Sequence, residues 1–132
     1  MRHELPDIVH TAMEGFTDLP IEPIVRLADE VRLEADTAEA VSAATITVLH
    51  NVRRHAGPAA SVILHADYDA AEMEWELTIR DDGVGFEPSS TPPGYGLSQI
   101  AGKALEEHHV SSHLHSERGI GTTVTFRGRY PR

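Results

Sequence analysis

From Glu74 to Asp81 the chain alternates strictly, with Trp75, Leu77 and Ile79 apolar and Glu74, Glu76, Thr78 and Arg80 polar. Side chains on a strand point alternately to its two faces, so a period of two describes a strand buried on one side and wet on the other. That strand runs without interruption into Asp81-Asp82-Gly83-Val84-Gly85-Phe86. A half-buried sheet needs a covering layer, and the glycines after Asp81 let the backbone turn sharply and approach whatever lies opposite.

The covering layer is legible upstream. Val41, Ala44, Thr45, Val48, Leu49, Val52 and Ala56 recur at helical spacing and predict a helix from Asp36 to Ala56. Asp36 is placed to cap it, with Glu39 three residues on as in a capping box, and Gly57-Pro58 ends it. Thr47, Asn51, Arg54 and His55 share a separate, polar face of that helix. Ser61–Tyr68 reads as a second strand, paired to Glu74–Asp81 through a turn at Asp69-Ala70-Ala71.

Beyond the glycine loop, Pro88, Pro92 and Pro93 lead to Gly94-Tyr95-Gly96-Leu97 and a helix from Leu97 to Glu107. Val110–Ser116 and Thr122–Gly128 read as the last two strands, joined across Gly119-Ile120-Gly121. Upstream of everything, Ile8, Val9, Met13 and Phe16 predict a short amphipathic helix whose length Pro6 and Pro20 limit. Pro23–Leu27 and Val31–Leu33 supply one or two short strands. The expected fold class is α+β: a two-layer sandwich whose mixed, mostly antiparallel sheet has helices on one face. We divide the chain into a poorly defined segment, 1–20, and one domain, 21–132.

Composition narrows function by exclusion. With 132 residues the chain is one domain, and no apolar run reaches the roughly 18 residues of a membrane span, so a cytoplasmic location is expected. There is no cysteine, hence no disulfide and no thiolate metal site. A formal charge of −10 argues against nucleic acid as a partner. An acidic chain can still bind an anionic nucleotide where a few local donors and a metal offset the repulsion.

Those local donors are present. Gly94-Tyr95-Gly96 precedes a helix, where free N–H groups and the helix dipole favour phosphate oxygens. Asp81, at a strand end, can accept from an exocyclic amine, and Asn51 offers a neutral oxygen to Mg²⁺. Singly, either glycine motif is more often a structural turn than a site. Their order and spacing say more than either alone.

Asn51-Val52-Arg53-Arg54-His55-Ala56 resembles the N box of the histidine-kinase ATPases, in the form found in the nitrate-sensor and lipid-fluidity-sensor branch. Asp81-Asp82-Gly83-Val84-Gly85-Phe86 and Gly94-Tyr95-Gly96-Leu97 resemble the two glycine boxes, and Ser116-Glu117-Arg118-Gly119-Ile120-Gly121-Thr122 resembles the closing hairpin. The likeness covers residues 36–128 and implies the ATP-binding domain of a sensor histidine kinase, in the histidine-kinase/Hsp90/gyrase/MutL superfamily with its Bergerat-type fold. It implies ATP and Mg²⁺ as cofactors, with Asn51 on the metal and Arg54 and His55 near the phosphates. Asp81, supported by Thr122, would take the adenine amino group, while Gly83 and Gly85 lie against the base. Gly94, Gly96 and Leu97 would present N–H groups to the phosphates beside a short lid, from Phe86 to Gly94. The partners implied are a dimerisation domain carrying the phosphoacceptor histidine and, downstream, a response regulator.

Two positions depart from that pattern. Thr47 stands where the N box usually carries a glutamate, so we expect ATP binding to survive better than turnover. His108-His109 stand where a Gly-Gly pair is usual, and with His113 and His115 they form a local histidine group. His113 and His115 flank Leu114 and so fall on a strand's solvent face, which favours a surface role over a metal site. Trp75 is expected in the core, the acids at Glu72, Glu74 and Glu76 on a solvated face, and Arg127, Arg129 and Arg132 as solubilising charges. No heptad segment with an acceptor histidine precedes the domain, so the expectation is an excised domain or a stand-alone kinase-like protein. The alternatives are an anti-sigma-factor-like ATP-binding serine kinase of the same superfamily, and a degenerate module that binds without turnover.

Overall fold

The computed structural model describes residues 2–26, 30–55, 60–85 and 103–131. Seven strands and three helices alternate along them: β1 (Arg2–Glu4), α1 (Leu5–Glu14), β2 (Ile21–Arg26), β3 (Arg32–Glu34), α2 (Ala35–His55), β4 (Val62–Asp69), β5 (Glu74–Asp81), α3 (Lys103–Glu107), β6 (Ser111–Glu117) and β7 (Gly121–Arg129). Five of the strands form one sheet in the order β2-β4-β5-β7-β6. Only β2 runs parallel to its neighbour β4; the other pairings in that sheet are antiparallel. The expected mixed, mostly antiparallel α+β sandwich is therefore what forms.

The alternation read in the sequence sets the layers. On β5, Trp75, Leu77, Ile79 and Asp81 are buried while their neighbours are half-buried or exposed, and Val62, Leu64, Ala66 and Tyr68 do the same on β4. The apolar stripe of α2 closes over this face through Val41, Ala44, Thr45, Val48, Leu49 and Val52, all buried. Helix α1 adds Leu5, Ile8, Val9 and Ala12 to the same core. Pro6 sits in its first turn, where a missing N–H costs nothing.

Two local expectations need correction. Asp36 lies inside α2 as an acidic first-turn residue rather than before it as a cap. There its carboxylate favours the helix by charge, beside the positive end of the dipole. The region 21–34 yields two short strands as expected, though in different sheets: β2 joins the main sheet, and β3 pairs with β1 in a separate two-stranded ladder. Asn51, read as part of a polar face, is only 3% exposed. The helix stop at Gly57-Pro58 and the start of the second predicted helix lie outside the described residues, which contain its end as α3.

The far end of α2 is tied down by the segment after α1. Arg53 bridges to Asp18 at 2.5 Å and stacks on Phe16, its guanidinium carbon 4.6 Å from the ring centroid, and the edge of His50 meets the same ring. No helix among the described residues is long and apolar enough to cross a membrane.

Candidate nucleotide site

The site is assembled where β5 ends. Asp81 pairs with Thr122 at the last rung of the β5–β7 ladder, and both are buried. Ser116, on β6, faces Thr122 in the adjacent ladder; their hydroxyls lie 2.9 Å apart, and Ser116 Oγ donates to the Gly121 carbonyl at 3.2 Å. Asp81 Oδ1 accepts the Gly83 N–H at 2.9 Å. Burial pushes the Asp81 carboxyl above its ordinary value, the N–H groups of Gly83 and Thr122 pull it back in part, and the neighbouring Asp82 charge adds to the rise. A buried carboxylate held ready in this way is costly to the apo fold unless a ligand donor uses it.

Two glycines make the geometry possible. Gly85 has φ 63° and Gly121 φ 135°. A Cβ on Gly85 would fall 2.0 Å from the Glu117 carbonyl oxygen, and one on Gly121 would fall 2.0 Å from that of Asp81. The glycine loop and the closing hairpin are thus pressed together backbone to backbone, and the Gly119 N–H reinforces the contact by donating to the Val84 carbonyl at 2.7 Å. On the other side, Asp82 Oδ1 accepts the Ser61 N–H at 2.6 Å, fixing the loop to the start of β4.

Asn51 reaches the same end of the molecule. The first turn of α2 lies beside the start of β5, since Thr37, Trp75 and Gly128 line a common cavity. From Thr37 to Asn51 the helix rises about 21 Å, and from Trp75 to Asp81 the strand advances about 20 Å. With α2 packed against β5, the two residues finish level. Thr47, one turn before Asn51, is half-buried and donates its hydroxyl to the Ala43 carbonyl at 3.0 Å. Arg54 is exposed and His55 half-buried at the end of the helix. Gly94, Gly96, Leu97 and the lid from Phe86 lie outside the described residues.

The structure brings Asp81, Gly83, Gly85 and Thr122 together as the sequence led one to expect. Ser116, Gly121 and Asp82 carried no assigned role, although the spacing Ser-x-x-Gly-x-Gly-Thr contains the first two. His113 and His115 are exposed, and no group of three or more metal-ligating side chains occurs among the described residues. Arg127 does more than solubilise, since it pairs with Glu76 across the β5–β7 ladder at 2.8 Å.

This five-stranded mixed sheet covered by helices has the fold of histidine-kinase catalytic domains. Solved structures make the likeness explicit. The catalytic domain of histidine kinase ThkA superimposes with a TM-score of 0.77 at 12% identity, covering 98% of this chain and 94% of that one. The mycobacterial sensor histidine kinase MprB gives 0.73 at 18% identity, covering 98% and 96%. A histidine kinase domain from the blue-light activated kinase of Erythrobacter litoralis gives 0.65 at 22% identity, covering 92% and 55%. No protein-family model matches the chain, and no curated protein matches its sequence.

Proposed function

We propose that this chain binds Mg-ATP as the catalytic domain of a sensor histidine kinase and donates the γ-phosphoryl group to a histidine on a separate dimerisation domain, from which a response regulator would draw it. The observation that carries the reading is Asp81: a buried carboxylate at a strand end, braced by two backbone N–H groups, with backbone packed too tightly around it for any side chain at Gly85 or Gly121. Its free acceptor capacity suits the exocyclic amine of adenine. Thr122 and Ser116 hold the wall opposite, and the flat backbone at Gly83 and Gly85 suits an aromatic base.

The buried Asn51 at the same end would hold a Mg²⁺ ion through its neutral, hard amide oxygen, and the ion would supply positive charge at the phosphates. Such an ion would neutralise phosphate charge, which a chain of net charge −10 otherwise repels. Arg54 and His55, on the last turn of α2, extend the cationic side of the site, and Gly94, Gly96 and Leu97 are assigned the phosphate-cradling amides. With a phosphoryl donor held this way, catalysis is positioning plus charge neutralisation.

Thr47 favours a second reading within the same site: binding with little turnover. Its hydroxyl proton is committed to the Ala43 carbonyl, and an uncharged hydroxyl neither orders metal-bound water as a carboxylate does nor acts as a base near neutral pH.

The test is a titration with a fluorescent ATP analogue, with and without Mg²⁺, on the native chain and on Asp81→Asn. We expect saturable, Mg²⁺-dependent binding that the substitution weakens at least tenfold, the loss of one charge-assisted hydrogen bond being worth about 1.5–3 kcal/mol. Equal binding by both proteins refutes the assignment of Asp81. Phosphotransfer to a supplied dimerisation domain then separates kinase from binding module.

A further inference from the structure

At the opposite end of the sandwich, about 20 Å along β5 from Asp81, a cavity of about 590 Å³ opens between the first turn of α2, the start of β5 and the end of β7. Its volume lies in the range of small-molecule sites. Trp75, buried to 1% exposure, forms one wall, lying so close to Gly128 that a Cβ there would come within 2.6 Å of the indole. Leu33, Val110 and Tyr130 extend the apolar lining.

One residue in this wall has an unmet need. Thr37 is only 4% exposed, and its hydroxyl has no hydrogen-bond partner among the described residues. The reason is its place in the helix. Thr45 and Thr47 donate to the carbonyls four residues back, Val41 and Ala43. Four residues before Thr37 is Leu33, which belongs to β3, so no helical carbonyl is there to receive its proton. An unpartnered buried hydroxyl costs about 1–3 kcal/mol. The N–H groups of the same first turn have no partner within the helix either.

Charge around the cavity is close to balanced. Arg32, Arg129, His108 and His109 line it with Glu34, Asp36 is in the adjoining turn, and Arg32 also pairs with Glu4 at 3.5 Å. Counted with histidine uncharged, formal charge neither draws in nor expels a monoanion, even though the whole chain is at −10. The lining is rich in donors: the Thr37 hydroxyl and first-turn amides stand with the Arg32 and Arg129 guanidiniums and two imidazoles, which together call for an acceptor.

We propose that this cavity is a second ligand site, distinct from the nucleotide site, that takes a small organic acid, its apolar body against Trp75 and Tyr130 and its carboxylate at Thr37 and the first-turn amides of α2. The site is independent of the reading of Asp81 and stands or falls without it. A carboxylate accepts both kinds of donor at once, which a neutral amide of the same shape does less well. The apolar walls select an aromatic or branched aliphatic body over a bare anion.

The chain has a single tryptophan, Trp75, so its indole N–H resonance reports on the cavity without labelling. The experiment titrates the full chain with 3-phenylpropionate and, separately, with 3-phenylpropionamide, with and without a saturating ATP analogue. We expect a saturable shift with the acid that persists when the analogue is present, and nuclear Overhauser contacts between the acid's ring and Trp75. Thr37→Val should weaken the acid at least tenfold while raising the unfolding temperature of the free protein, because it removes the orphaned hydroxyl. Thr37→Ser, which keeps the hydroxyl, should bind within about twofold of the native chain if that hydrogen bond carries the preference. The proposal is overturned by no saturable shift, by amide and acid binding alike, by equal binding to native and Thr37→Val proteins, or by displacement of the acid on adding the ATP analogue.

Discussion

Replacing Gly121 with alanine tests the architecture of the proposed nucleotide site most directly, because its neighbour in the same turn, Gly119, provides a matched control. Gly119 has φ 82° with nothing within 4 Å of an added Cβ, so Gly119→Ala pays for conformation alone, about 1 kcal/mol. Gly121 has φ 135°, and its Cβ would lie 2.0 Å from the Asp81 carbonyl oxygen and 3.1 Å from Asp82 Cα, all of it backbone. Conformational strain there costs about 1–3 kcal/mol. The clash then forces β5 and β7 apart by about 1 Å at their last rung, forfeiting one or two ladder hydrogen bonds at about 1 kcal/mol each. The sum, about 2–5 kcal/mol, is a large part of an ordinary domain's stability. At about 3–5 °C per kcal/mol it lowers the unfolding temperature by roughly 6–25 °C, against about 4 °C for Gly119→Ala. Urea denaturation of both variants, with the ATP-analogue titration repeated below their transitions, measures the two consequences separately. Gly121→Ala should also bind more weakly while folded, since the displaced rung carries Asp81 and Thr122. If the two variants lie within about 0.5 kcal/mol of each other, the close approach of hairpin to strand does not constrain the site and the reasoning fails.

Burial raises the Asp81 carboxyl, so nucleotide affinity should decline with falling pH from a higher pH than an exposed aspartate would give, and the decline should vanish in Asp81→Asn. For the free fold the sign is opposite: a raised carboxyl contributes stability that is complete below its unfolded value of 3.8 and is lost as pH rises through the folded one. Coincident pH profiles for the two proteins, in binding and in unfolding, would remove Asp81 as their cause. Thr47→Glu should restore a carboxylate one turn before Asn51 and raise phosphotransfer to a supplied dimerisation domain at least tenfold, with little change in ATP affinity; single-turnover assays with labelled ATP decide it, and unchanged turnover clears Thr47 of blame. His109 holds φ 58°, the left-handed region, so His109→Gly should stabilise the fold by about 0.5–1 kcal/mol in urea melts, and any destabilisation contradicts a strain at that position.

His109 also shows why parts of the sequence read well. A Gly-Gly pair is usual at this place in the family the motifs resemble, and the positive φ supplies the physical reason that histidine looked out of pattern. Asp81 and Thr122 were legible because a period-two strand and a glycine motif deliver them to fixed positions. Asn51 was half legible: its place on α2 followed from spacing, but its burial depends on tertiary packing, which helical periodicity does not contain. The β1–β3 ladder was not legible. Arg2-His3-Glu4 and Arg32-Leu33-Glu34 are too short to alternate, and only their pairing makes them strands. Nor was the orphaned hydroxyl of Thr37, since the same residue at Thr45 or Thr47 finds a carbonyl one turn back.

The order of strands in the main sheet also bears on how the molecule folds. β4–β5 and β6–β7 are hairpins closed by short turns, whereas Asp81 meets Thr122 41 residues further along the chain, and β2 meets β4 across the whole of α2. Closing such spans costs entropy before any contact repays it, so the hairpins precede their docking. The rung that holds Asp81 is therefore completed late, and damage to it speeds unfolding more than it slows folding. A domain built this way guards its folded lifetime with the same contact that shapes the proposed nucleotide site.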